Sequence, residues 1–174
     1  GGNLYERKDG IFQPRSGNRS FHVPGAVQLF RRDCYEKVGG LKAFRGGHDD
    51  TVAETTARMY GWRSLSFADL PFYHHRPTGV TGTTVLRARY SEGMTQYCVG
   101  YHPLFQFFNC LRRIGAKPPV LAAAARFAGY WITAIRGEKR HTSPEFVAHL
   151  QKEQMARVKS MFWKSARKNA LPNS

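Results

Sequence analysis

Acidic residues are scarce in this chain: 12 Asp and Glu stand against 27 Lys and Arg, giving a formal net charge of +15 over 174 residues. Such a balance implies attraction to polyanions, whether nucleic acid, anionic lipid head groups or a phosphorylated substrate, and by itself does not choose among them. Cysteine is scarcer still. Cys34, Cys98 and Cys110 are odd in number, far apart and without CxxC or Cys/His finger spacing. That argues against both a disulfide framework and structural zinc, and for a reducing compartment. A charged segment followed by an apolar one, the mark of a signal peptide, is missing, as are internal repeats and low-complexity stretches. A spanning helix is missing too: the most apolar segment, Val120 to Ile135, holds Arg126 and falls short of the ~20 apolar residues required. It reads as a core helix of a bundle packed on a sheet. The alternative is an interfacial helix lying on a membrane, for which Tyr130, Trp131, Arg136, Lys139 and Arg140 suit the head-group boundary.

What is present is globular, with 41% hydrophobic and 13% aromatic residues, enough for one domain or part of a larger one. The chain opens on Gly1 rather than Met and runs directly into Leu4 to Phe12, which reads as a strand, an Asp9-Gly10 turn and a strand. That start is expected of a segment cut from something longer. Phe21 to Phe30 is an apolar run containing Pro24-Gly25-Ala26, followed by helical spacing from Arg31 to Val38 and a stop at Gly39-Gly40. Asp50 to Tyr60 reads as a helix closed by Gly61, with Asp49 and Asp50 at its start, where carboxylates cap free N–H groups and face the positive end of the dipole. Trp62 to Phe67 is expected as a short strand and Asp69-Leu70-Pro71 as a turn, with Phe72-Tyr73 leading into His74-His75-Arg76. Strands alternating with helices imply an α/β sheet.

After Arg76 a loop with Pro77-Thr78-Gly79 and Gly82 changes the composition, and helices are expected at Thr83 to Val99, Pro103 to Ile114, Pro119 to Ile135 and Pro144 to Lys164. Pro103, Pro119 and Pro144 then fall in first turns, where a missing N–H costs nothing. Ser143 is the expected N-cap of the last helix, an amphipathic and basic one. Its Val147, Leu150, Gln154, Val158 and Met161 share a face, and residues 164–174 form a frayed tail. The domain reading is 1–82 and 83–174.

One concentration of chemistry stands out: Gly46-Gly47-His48-Asp49-Asp50 in one turn and His74-His75-Arg76 at a strand end. Unpaired charges taken from water cost several kcal/mol, so such a cluster is either a satisfied ion-pair network or a site. The plainer readings are helix capping for the aspartates, backbone hydrogen bonding for the histidines and a solvated helix start for Arg31-Arg32. His22, His102, His141 and His149 have no partner pattern and take no role.

Taken together, Val23-Pro24-Gly25-Ala26 with Phe30 to Leu41, His48-Asp49-Asp50 with Arg58 and Gly61, and Tyr73-His74-His75-Arg76 resemble the C-terminal half of a family 2 glycosyltransferase of the GT-A fold. In that family a small-residue strand leads to a helix ending in Gly-Gly, a Glu-Asp pair opens a helix closed by glycine, and a strand ends in histidine. The resemblance covers residues 21–82; the helical tail is similar in style alone. It implies α/β architecture with a partial GT-A (Rossmann-like) mixed sheet and flanking helices, followed by a helical C-terminal extension. It also implies sugar transfer from a nucleotide-sugar donor to a glycan or lipid-linked acceptor, with a divalent metal (Mn or Mg).

Asp50 matches the family's general base, a carboxylate at a loop-to-helix junction that deprotonates the acceptor hydroxyl, a contribution on the order of 10² to 10⁴ in rate. Asp49 replaces the usual Glu and, with His48, Gly39, Gly40, Gly46 and Gly47, falls on the acceptor side. His74 or His75, the first favoured because it directly follows the apolar strand, matches the metal-side histidine. Arg76 faces the leaving diphosphate. The family's metal-binding DxD does not occur in the chain, which therefore resembles the acceptor half and is not expected to turn over alone. The expected location is peripheral, at the cytoplasmic face of the cell membrane, with the basic tail on anionic lipid. A basic nucleic-acid module is the alternative; it explains the charge but not the spacing of Gly40, Asp50, Gly61 and His74. A phosphoesterase built on Asp49, Asp50, His74 and His75 would need more carboxylates nearby.

Overall fold

Alternation at the start of the chain produces the expected hairpin. Strand β1 (Gly2–Lys8) pairs antiparallel with β2 (Ile11–Pro14), from Tyr5 opposite Pro14 to Lys8 opposite Ile11. Gly10 at the turn has φ 84°, a conformation glycine adopts without Cβ strain. On its other side β1 pairs parallel with β3 (Phe67–His74), so β1 is the central strand of a mixed sheet ordered β2, β1, β3, and Leu4 is its buried core residue. These details come from a computed structural model, which describes residues 1–8, 10–14, 22–43, 47–75, 84–115 and 118–170.

The third strand corrects the sequence reading. Residues 62–66 are irregular, and the expected Asp69-Leu70-Pro71 turn lies inside β3 as a bulge: Gly2 pairs with Phe67, whereas Asn3 next to it pairs with Pro71. Proline lacks the ladder donor and is tolerated at bulges and on edge strands, and β3 is both. The bulge brings the Leu70 carbonyl so close to Gly2 that an added Cβ would lie 2.3 Å from its oxygen.

Between the strands of this first unit (Gly1–Ala88) stand a 3-10 turn at Gly25–Val27, helix α1 (Arg32–Val38) and helix α2 (Asp49–Met59). Helix α1 stops where Gly39-Gly40 predicts. Gly39 takes the left-handed conformation, and the N–H groups of Gly39 and Gly40 bond the carbonyls of Glu36 and Tyr35. Helix α1 packs on α2, with Arg31 over the Trp62 ring and Lys37 over the Tyr60 ring.

The second unit (Arg89–Ser174) is helical, carrying most of α3 (Val85–Val99), then α4 (Pro103–Leu111), α5 (Leu121–Ile135) and α6 (Pro144–Ala170). Pro103 takes the first position of α4, where the His102 ring accepts from the Leu104 N–H, and Ser143 Oγ accepts from the Phe146 N–H at the start of α6, as expected. Helix α4 ends at Leu111, short of the expected Ile114, and two further boundaries differ. Pro119 precedes α5 instead of opening it, because Val120 turns to φ 62°, and the expected fraying from residue 164 gives way to helix up to Ala170.

Helices α3 and α5 cross in backbone contact at two glycines. A Cβ on Gly93 would lie 2.0 Å from the Arg126 carbonyl oxygen, and one on Gly129 would lie 2.1 Å from that of Tyr90. Helix α6 buries Phe146, Val147, Leu150, Gln154 and Val158, the face its periodicity announces, while Met161 stays exposed. Among the described residues no helix is long and apolar enough to cross a membrane.

Candidate functional site

The site begins with two successive left-handed residues, Gly47 (φ 85°) and His48 (φ 77°). They swing the chain into α2 so that the His48 carbonyl accepts the first helical bond, from Val52 N–H. His48 is thus the N-cap, with no capping bond from its side chain, and Asp49 and Asp50 occupy the first helical turn. Neither aspartate is the N-cap residue, but Asp50 does take up a free N–H of the first turn, that of Thr51, and both carboxylates face the positive end of the dipole. Both are half-buried.

Asp50 is fixed from two directions. Its Oδ1 accepts from the Thr51 N–H at 2.7 Å and faces the Thr51 hydroxyl at 3.3 Å. Its Oδ2 lies over Gly25, where an added Cβ would come within 2.8 Å of that oxygen and 2.9 Å of the Asp50 Cβ. A side chain at residue 25 would therefore force the Asp50 carboxylate out of this position. Gln28 completes the junction: its side-chain N–H₂ donates to the Val23 carbonyl (3.0 Å) and to the Asp50 carbonyl (3.2 Å), joining the 3-10 turn to the start of α2.

One turn further along α2 lies a residue that the sequence reading passed over. Glu54 is buried, yet all its charge is answered: it accepts from Val23 N–H at 3.2 Å, pairs with His22 Nδ1 at 2.7 Å and pairs with Arg58 at 3.2 Å. Arg58 in turn reaches the Thr55 and Ser64 hydroxyls. His22, given no role above, is thereby a partner of the network. The sequence held half of the signal, since Asp50, Glu54 and Arg58 recur every four residues and share one helix face. A buried carboxylate with three partners is a rigid strut beneath Asp50.

The histidines part company. His74 ends β3 opposite Glu6, half-buried, with an Nδ1 that is shielded from solvent and makes no hydrogen bond among the described residues. His75 is exposed and sets its ring edge-on to Phe12 at 5.2 Å, beside the Phe12 to Tyr73 contact at 5.0 Å. No hydrogen bond or ion pair joins Asp50 to either histidine among the described residues. The 3-10 turn lies against Gly1, at the start of β1, where an added Cβ would meet Val23 and the Val27 carbonyl. His74 pairs four residues beyond Gly2, and at a strand rise of ~3.3 Å per residue about 13 Å of strand separate the two levels. Among the described residues, then, no hydrogen bond or ion pair links the two turns through Asp50.

Gly39 and Gly40 are used in ending α1, and Gly47 has open space where a side chain would stand. Gly46 and Arg76 lie outside the described residues. Among the described residues no group of three or more His, Cys, Asp or Glu side chains is assembled for a metal ion. All three cysteines are free and buried, and burial foremost pushes their thiols above the ordinary value, so they are poor nucleophiles. Comparison with protein-family models, with curated proteins and with solved structures finds no match.

Proposed function

We propose that residues 1–82 are the acceptor-side half of a GT-A glycosyltransferase domain that moves a sugar from a nucleotide-sugar donor to a glycan or lipid-linked acceptor at the cytoplasmic face of a membrane. The observation that carries the proposal is the seating of Asp50: a half-buried carboxylate in the first turn of a helix, one oxygen tied to Thr51 and the other against Gly25, where an added Cβ would displace it. A general base needs such fixed aim with one oxygen left to take a proton.

In the proposed reaction the acceptor hydroxyl gives its proton to Asp50 Oδ2 as its oxygen attacks the anomeric carbon, and the bond to the nucleoside diphosphate breaks with inversion. Glu54, held by His22, Val23 and Arg58, keeps the first turns of α2 from shifting under the carboxylate. Asp49 and His48 border the acceptor, and Arg76, outside the described residues, is the residue the family resemblance assigns to the diphosphate. Of the two histidines, His74 fits a divalent ion, because its Nδ1 is without a partner, whereas the His75 ring is engaged with Phe12. A bound Mn or Mg would neutralise charge on the departing diphosphate; its remaining ligands belong to the DxD side, which the chain does not contain.

The test joins these residues to a donor-binding half in one protein and supplies a panel of labelled nucleotide sugars with extracted membranes as acceptor source. Label transferred to glycan or lipid is the expected result. Failure with every donor, in a protein that binds a nucleoside diphosphate, would refute the reading.

A further inference from the structure

Two helices of the helical unit expose large apolar side chains while placing polar ones among Ala122, Ala123, Tyr130 and Cys110 on their buried faces. Helix α4 turns Gln106 and Cys110 inward and leaves Leu104, Phe107 and Leu111 exposed. Helix α5, packed on α4, buries Arg126, 2% exposed, along with Gly129 and Thr133, while Leu121, Phe127, Trp131 and Ile135 face outward, the last 82% exposed. The buried groups are answered within the fold in part: Arg126 pairs with Glu92 and Thr133 Oγ1 donates to the Gly129 carbonyl. Water selects the opposite arrangement for a surface helix.

We propose that the outward faces of α4 and α5 form a surface that inserts into the interface of an anionic lipid bilayer, with both helices parallel to the membrane plane. Length sets the orientation: 15 residues of α5 span roughly 22 Å, less than the ~30 Å of a hydrocarbon core. Charge identifies the partner. Exposed Arg112 and Arg113 follow α4, and exposed Arg136, Lys139 and Arg140 follow α5, with Glu138 the acidic residue among them. An apolar stripe ended by exposed cations, with Trp131 on the stripe, matches the acyl boundary and the phosphate level above it. A second copy of this chain would bring two highly basic surfaces together, and a groove on another protein would leave the cations unexplained. Helix α6, the basic tail expected to reach the membrane, buries Phe146, Val147, Leu150 and Val158 inside the unit, so that part of its apolar face is not open to lipid.

This inference is independent of the transfer chemistry, because its test reads no turnover. The full chain, with Trp62→Phe and Trp163→Phe so that Trp131 is the lone reporter, is mixed with vesicles of phosphatidylcholine alone or with added phosphatidylglycerol. The expected result is co-flotation with the anionic vesicles, a blue shift of Trp131 emission and its quenching by brominated acyl chains. Leu121→Glu with Ile135→Glu should lower partitioning by at least tenfold, on the order expected for losing two buried aliphatic side chains. A control of equal charge placed on α6, Ala156→Glu with Lys152→Ala, should lower it much less. Absence of flotation, unquenched Trp131, or binding that salt removes and the Leu121/Ile135 pair leaves untouched would each overturn the proposal. So would a wild-type dimer in solution that the same pair dissociates without any vesicle binding.

Discussion

The two units differ in how they treat buried polarity, although among the described residues each leaves some buried polar atoms without a hydrogen bond, Gln28 Oε1 and His74 Nδ1 in the first. In the sheet unit Glu54 is surrounded by His22, the Val23 N–H and Arg58, so the charge taken from water is repaid by partners, and the neighbouring Asp50 is held in one orientation. In the helical unit Gln96 Oε1, Gln106 Oε1 and Arg126 Nε are buried without hydrogen bonds, while leucine, phenylalanine and tryptophan side chains face out. Charge divides similarly: residues 89–174 hold 14 Lys and Arg against 4 Glu, a balance of +10, and residues 1–88 hold 13 against 8 acids, a balance of +5. The contrast teaches that satisfied burial marks a place built for precision, whereas inverted burial marks a surface built for a different solvent.

Substitutions that attack each unit at its tightest point should separate them. Gly129→Val places atoms where the Tyr90 carbonyl stands and should cost more than the ~3 kcal/mol upper range of ordinary overpacking, because the backbone has no side chain to move. Hydrogen exchange should show the helical unit opening while the first unit keeps its protection. Glu54→Ala should cost the sheet unit about 3 kcal/mol, the scale for stranding a buried charge partner, read as a lowered denaturation midpoint with the helical unit unaffected. Gly25→Ala meets the Asp50 side chain, its Oδ2 at 2.8 Å and its Cβ at 2.9 Å, so about 1 to 2 kcal/mol is expected, together with a displaced carboxylate and a loss of transfer out of proportion to the loss of stability.

Acid sharpens the comparison at the scale of a single group. Burial pushes the Glu92 carboxyl upward, but Arg126 and Arg89 outweigh it and hold it below its ordinary value. A carboxyl depressed in the folded state stabilises above its unfolded pKa, and that contribution is lost as pH falls through the folded value. The helical unit should therefore weaken below the ordinary glutamate range, and Glu92→Gln should flatten that part of its stability curve. The smallest effect is expected from Gln106→Leu, which removes a buried amide with an unpaired oxygen; a change within about 1 kcal/mol, toward greater stability, is predicted by thermal denaturation.

Local chemistry was legible in the sequence. Alternation around Asp9-Gly10 gave the hairpin, Gly39-Gly40 the end of α1, Ser143 the start of α6, and the spacing of Val147, Leu150, Gln154 and Val158 its buried face. Features resting on distant partners were not. Pro71 reads as a turn until β1 pairs with it, and Glu54 reads as a surface residue until His22 and Val23 arrive from more than thirty residues away. For α5, the sequence reads as a core helix, and it does bury Ala122, Ala123, Gly129 and Tyr130, but periodicity did not show that Arg126 and Thr133 share the buried face while Phe127, Trp131 and Ile135 stay exposed. Of the candidate site, the helix start at Asp49 and Asp50 was legible, and the strut of Glu54, His22 and Arg58 beside it was not.

The central claim is that Asp50 is an aimed base, and the most direct measurement is the transfer rate of Asp50→Asn in a protein joining these residues to a donor-binding half. The amide keeps the shape beside Gly25 but cannot take the proton. A fall in kcat of at least ~10²-fold with donor affinity unchanged is predicted; turnover equal to the parent protein would contradict the account.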